Sequence, residues 1–237
     1  MSVIISSHSP NAVARAVDVL NSGGLVGLPT ETVYGLAARA DNDEAVAKIY
    51  VAKGRPSGHP LILHISDMSE LIRYAVNIPR EALTLAQQCW PGPLTLLLHK
   101  SAEVSHLVTG GRDTVAIRVP ANDCALSIID RCGHAVAAPS ANVFGHVSPS
   151  TAQHVHDDLG DRVDLIVDDG NCSIGVESTI IDFTASHPQL LRPGGFPVED
   201  IESIIGEKVY EPSGDARASG MLASHYSPSC RVILAHD

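Results

Sequence analysis

Between residues 25 and 192 the chain repeats one pattern: a short apolar run, a turn of small polar residues, then an amphipathic stretch at helical spacing. The runs at 25–28, 33–40, 61–65, 94–99, 114–119, 135–138, 164–167, 178–183 and 189–192 are short enough to read as strands. Between them, helices are expected at 43–52, 68–75, 79–89, from the Asn122 cap to Arg131, and at 151–159 and 197–205. An earlier helix should start at Ser9-Pro10, bury Val13, Ala16, Val17 and Leu20, and close at Gly23. This alternation selects an α/β open sheet with flanking helices. The sheet should be mixed, because several connections are too short for a crossover helix. Residues 101–112 are polar and carry glycines, so they read as a mobile loop, and 211–223, rich in Gly, Ser, Pro and Ala, as a linker. Residues 232–235 look like the first strand of something that then stops.

With 237 residues and 44% hydrophobic content the chain can bury a real core. A formal net charge of −11 argues against a binder that relies on general attraction to phosphate backbones, so any nucleic-acid role needs a local basic patch. Five cysteines, with no Cys-x-x-Cys pair, indicate neither a disulfide framework nor a zinc knuckle, and a reducing cytoplasm fits them best. No leader pattern opens the chain, and the aliphatic run at 94–98 is too short to cross a bilayer, so a soluble protein is expected.

Chemistry in such sheets collects outside the strand ends. There this chain places Thr30 to Thr32, Lys53 with Arg55, His64, Thr114 to Arg118, Ser140 with Asn142, Ser148, Ser178, and Arg192 before Pro193-Gly194-Gly195. Lys53 and Arg55, one glycine apart in a loop rich in Pro and Gly, suit a polyphosphate or carboxylate. Each residue also has a plain structural reading. Lys53 and Arg55 can cap a helix C-terminus, His64 can be a core histidine, Arg118 a paired structural cation, and Thr32, Ser140 and Asn142 turn residues. Familiar catalytic signatures are missing: there is no Gly-x-Ser-x-Gly, no Ser-x-x-Lys, no Gly-Lys pair, and no strand-to-helix Gly-x-Gly. Cys132 with His134 is weak support for a nucleophile and base, and His154-Val155-His156-Asp157-Asp158 reads as a solvated helix face before it reads as a metal site.

Six motifs in order carry a resemblance: Pro29-Thr30-Glu31-Thr32-Val33-Tyr34-Gly35-Leu36, Lys53-Gly54-Arg55-Pro56, Pro60-Leu61-Ile62-Leu63-His64, Pro139-Ser140-Ala141-Asn142, Glu177-Ser178-Thr179 and Leu191-Arg192-Pro193-Gly194. Together they resemble the YrdC/Sua5 family of threonylcarbamoyl-AMP synthases, and Ser219-Gly220-Met221-Leu222-Ala223-Ser224-His225-Tyr226-Ser227-Pro228 resembles the linker of its longer Sua5 branch. The resemblance implies a YrdC-like open, twisted, mixed sheet around a deep concave cavity. It divides the chain into a catalytic domain at 1–208, a linker over the active site at 209–230, and the start of a missing or truncated C-terminal domain at 231–237. The implied reaction joins L-threonine, bicarbonate and ATP, with Mg2+, into threonylcarbamoyl-AMP and pyrophosphate. Downstream proteins would then use the product in the t6A modification of tRNA.

Carried over by position, Thr32, His64, Arg118, Ala138 and Ser178 hold threonine. Arg55, His59, Thr114, Ser140, Ser148, Arg192 and Tyr226 hold ATP, and Lys53, Arg55, Ser140 and Asn142 form the catalytic set, with no resident metal ligand. His59 departs from the family's usual asparagine. The alternatives are an RNA-binding or ribosome-maturation module, which the −11 charge counts against, and a carbamoyl-transferring module of the hydrogenase-maturation type. The expected protein binds neither nucleic acid stably nor a membrane.

Overall fold

The computed structural model describes residues 3–212. Tyr226, the linker motif around it, and the strand expected at 232–235 lie outside the described residues.

Strands β1 (Val3–Ser6), β2 (Val26–Leu28), β3 (Gly35–Arg39), β4 (Ile62–His64), β5 (Ala75–Val76), β6 (Leu94–Lys100), β7 (Thr114–Arg118), β8 (Val136–Ala137), β9 (Leu165–Asp168), β10 (Thr179–Asp182) and β11 (Gln189–Arg192) form one sheet. Its order is β1-β9-β2-β3-β8-β4-β7-β6-β10-β11, with β5 joined to β6. The pairs β1/β9, β2/β9, β4/β7 and β6/β10 are parallel, and the others antiparallel. The expected mixed, open α/β sheet is therefore what forms. Helices α1 (Ala12–Asn21), α2 (Asp43–Lys53), α3 (Leu71–Tyr74), α4 (Arg80–Cys89), α5 (His106–Thr109), α6 (Asp123–Cys132), α7 (Ala152–Leu159) and α8 (Val198–Ile205) accompany it.

Local chemistry sets several boundaries. Asn42 and Asn122 each accept the amide N–H three residues on, starting α2 and α6, and Gly54 and Gly133 end those helices at positive φ. Other expectations change. α1 begins at Ala12, behind an uncapped Asn11, instead of at Ser9-Pro10, and Pro197 takes the position before α8. Residues 101–112 are not simply a loop: Ser105 caps the single turn of α5, and Val104 and Val108 enter the core. The stretch at 68–75 breaks into a 3-10 turn, the short α3 and the start of β5.

Side-chain alternation along β4 and β7 decides where the site can be. Leu63 and Ile117 join the main core that the helices cover. Ile62 and Ala116 point the other way, into a small cluster with Leu97, Ile180 and Leu191. His64 and Arg118, two residues further along, share that second face. No helix among the described residues is long and apolar enough to cross a membrane.

Candidate active site

A cavity forms where this second face meets the turns after β2 and β8, the residues just ahead of β10 and the end of β11. Thr32, Arg55, His64, Arg118, Ala138, Ser140, Ser178 and Arg192 line it, together with Thr30, Glu177 and the backbone around Gly35 and Pro139. Much of the residue set read from sequence strand ends therefore converges on one wall.

The turn after β2 is folded by Thr30, whose hydroxyl donates to the Val33 carbonyl and accepts the amide N–H of Thr32 and Val33. This fixes the Thr32 hydroxyl, which shares a hydrogen bond with Thr30 and accepts one from Arg118 Nη1 at 2.9 Å. Arg118 Nε donates to the Gly92 carbonyl, and Nη2 lies 2.7 Å from Glu31 Oε1. That last contact is an ion pair without hydrogen-bond alignment, since neither Nη2 nor the Glu31 oxygens meets that geometry. Arg118 is thus a paired structural cation and a cavity residue at once. His64 is fully buried beside it. Burial, with the Arg118 charge second, pushes the imidazole down to about 3, so it is neutral at ordinary pH.

Lys53 is not on the cavity wall. It closes α2, is 1% exposed, and donates Nζ to the carbonyls of Ser140 and Asn142. It therefore clamps the turn that presents Ser140. Burial, reinforced by the neighbouring Arg55 charge, pulls its ammonium down to about 7. Asn142 also acts within this turn, its amide donating to the carbonyls of Val143 and His146. Arg55 does reach the cavity, with Nη2 on the Pro60 carbonyl and its guanidinium 5.7 Å from the Phe144 ring centre.

At the other side Arg192 is anchored on Ser178: Nε and Nη2 donate to its carbonyl, and Nη2 also to its hydroxyl. The Ser178 hydroxyl further pairs with Thr95 at 2.7 Å. Glu177 completes the group, with Oε2 3.1 Å from Arg192 Nη1 and Oε1 accepting from the Ser148 hydroxyl at 2.7 Å. Glu31 and Glu177 stand inside the motifs named from sequence, but sequence reasoning gives neither a role. A signal existed: each immediately precedes a selected hydroxyl residue, and buried guanidinium groups require carboxylate partners.

Some expected residues lie elsewhere. Thr114 begins β7, at the opposite end of the strand from Arg118. His59 is half-buried with its ring edge-on to Phe144, at a centroid distance of 5.4 Å. Ala138 lines the cavity, but its N–H is given to the Ile62 carbonyl, so a ligand contact there falls to its own carbonyl.

Among the described residues, no three His, Cys, Asp or Glu side chains gather into a metal cage. With Glu177 engaged by Arg192 and Ser148 and Glu31 facing Arg118, the donor set does not fit a resident metal. Cys132 donates to Asn21, and burial raises its thiol, which leaves no nucleophile with His134. His154 is exposed on α7.

A family model described as telomere recombination, that of the Sua5, YciO and YrdC proteins, matches residues 18–194. A second, described as the threonylcarbamoyl-AMP synthase C-terminal domain, matches 196–237, starting ahead of the linker read at 209–230 and covering the end of the chain. The threonylcarbamoyl-AMP synthase of Pyrococcus abyssi is 50% identical over 225 residues, spanning 92% of this chain and 66% of its own length. That of Bacillus subtilis is 46% identical over 236 residues, spanning 97% of this chain and 68% of the relative. The chain thus spans about two thirds of the length of these relatives. The crystal structure of Pyrococcus abyssi Sua5 complexed with L-threonine superimposes with a TM-score of 0.92 at 46% identity, covering 96% of this chain and 70% of that one. With the model match running through every strand end that lines the cavity, this chain belongs to the Sua5/YciO/YrdC family.

Proposed function

We propose that this chain makes threonylcarbamoyl-AMP and pyrophosphate from L-threonine, bicarbonate and ATP, for the t6A modification of tRNA by downstream proteins. The observation that carries the proposal is the gathering of Arg55, Arg118 and Arg192, each no more than 7% exposed, around a neutral His64 and the Thr32 and Ser178 hydroxyls. Cations sunk in a cavity suit a small polyanion and a carboxylate better than the long backbone of an RNA, which a basic surface would track.

In the reaction, the α-phosphoryl group of ATP passes to a carboxylate-type oxygen and pyrophosphate leaves. That step needs charge neutralisation and alignment more than a covalent nucleophile. Arg118, with Thr32 and Ser178, is assigned to the threonine, and Arg55, Arg192, Ser140 and Ser148 to the nucleotide. Lys53 and Asn142 serve the reaction through the Ser140 turn they hold. Magnesium, for which these residues build no cage, enters as the counter-ion of the triphosphate, and no step is assigned to it. Pyrophosphate release from ATP and bicarbonate, measured with and without L-threonine on this chain, tests the proposal. Release should depend on threonine, and release indifferent to it would overturn the assignment.

A further inference from the structure

We propose that Glu177 is a built-in stand-in anion: without nucleotide its carboxylate occupies Arg192 and Ser148, and an entering phosphate group must turn it away. This rests on the assignment of Arg192 and Ser148 to the nucleotide made above. Two observations carry it.

First, the carboxylate spans both groups at once, with Oε2 3.1 Å from Arg192 Nη1 and Oε1 accepting from Ser148 at 2.7 Å. These donors sit on separate segments, 148 before α7 and 192 at the end of β11, so one anionic group bridges them as a phosphate would. Arg192 itself is held in place by Nε and Nη2 on Ser178, so Nη1 stays turned toward whichever anion is present.

Second, the backbone beneath Glu177 is fixed, and its carboxylate is the more exposed partner of the ion pair. The Glu177 carbonyl accepts the Gly195 N–H at 2.9 Å, and a Cβ at Gly194 would overlap the backbone of Glu177, Ser178 and Thr179. The Glu177 side chain, 14% exposed, lies nearer solvent than Arg192, 5% exposed, so of the two it is the one that an entering anion would displace. A fixed backbone with a partly exposed carboxylate makes the exchange a rotamer change without loop movement. Two anions cannot share Arg192 Nη1 without repelling each other, so the native carboxylate raises the threshold for any phosphate ligand. The device favours ligands that bring several phosphate oxygens over single weak anions.

Calorimetric titration with inorganic pyrophosphate, in magnesium-free buffer, of the wild type, Glu177→Gln and Glu177→Asp tests this, with L-threonine titrated in parallel as the check on folding. Removing the charge in Glu177→Gln should tighten pyrophosphate binding by about tenfold, on the order of 1.4 kcal/mol. Drawing the carboxylate back in Glu177→Asp should shift binding in the same direction. Measurable threonine binding in both variants shows that they are folded. Unchanged or weaker pyrophosphate binding by either folded variant, beside a wild type that binds, would overturn the stand-in and make Glu177 an aligner of Arg192. Absence of pyrophosphate binding in the wild type would overturn the stand-in, and absence of ATP binding in a further titration of the same protein would overturn the nucleotide assignment as well.

Discussion

His64 and Arg118 stand opposite each other in register across the parallel β4/β7 ladder, so a neutral imidazole and a guanidinium share one cavity wall. Parallel strands end at the same level, which brings two residues from distant parts of the chain to one point.

The neutrality of His64 has a consequence for stability. Its pKa falls from 6.5 in the unfolded chain to about 3 when folded, through burial first and the Arg118 charge second. Between these values the unfolded state binds the extra proton, so this contribution is complete above pH 6.5 and is lost as the pH drops toward 3. His64→Gln removes the titration. From pH 7 to pH 5.5 the wild type should lose about 1 kcal/mol more stability than the variant, measured by urea unfolding at both pH values.

Thr32→Val keeps the side-chain shape but removes the hydroxyl that accepts Arg118 Nη1. Leaving a buried guanidinium donor unpaired costs about 1–3 kcal/mol. The expected result in calorimetry is a threonine Kd raised on the order of tenfold to a hundredfold with nucleotide affinity little changed.

Much of this site was legible before the fold was known, because strand-end polar residues in α/β sheets converge regardless of their distance in sequence. Thr32, Arg55, His64, Arg118, Ser140, Ser178 and Arg192 were found in that way. What escaped depended on tertiary contacts. β1 is an exposed edge strand of four residues, specified by its parallel pairing with β9, some 160 positions away. α5 is one turn long and is anchored by Val104 and Val108 in the core, which no local period reveals. Lys53 read as a ligand-facing cation, yet its direction follows from the carbonyls of Ser140 and Asn142, nearly ninety residues later.

Lys53→Met retains the buried stem and strands those two carbonyls. A loss of about 2–4 kcal/mol in stability is expected from two unpaired buried acceptors, together with a lower kcat because the Ser140 turn loosens. Lys53→Arg should not restore activity, since a larger fork has no room where the native side chain is 1% exposed. Urea unfolding and steady-state kinetics on the same preparations check both effects.

Gly194→Ala tests the packing beneath the Arg192 side of the cavity. The added methyl would press on the backbone that carries Ser178. A stability loss of about 1–3 kcal/mol is expected, with the larger functional effect on threonine binding. Thermal unfolding and threonine titration measure the two.

The synthase assignment is tested most directly by following radiolabelled bicarbonate with ATP, magnesium and L-threonine. Label should enter an adenylate product in a one-to-one ratio with released pyrophosphate, and should vanish when either ATP or threonine is left out. Pyrophosphate release without label in an adenylate, or labelling that ignores threonine, would contradict it.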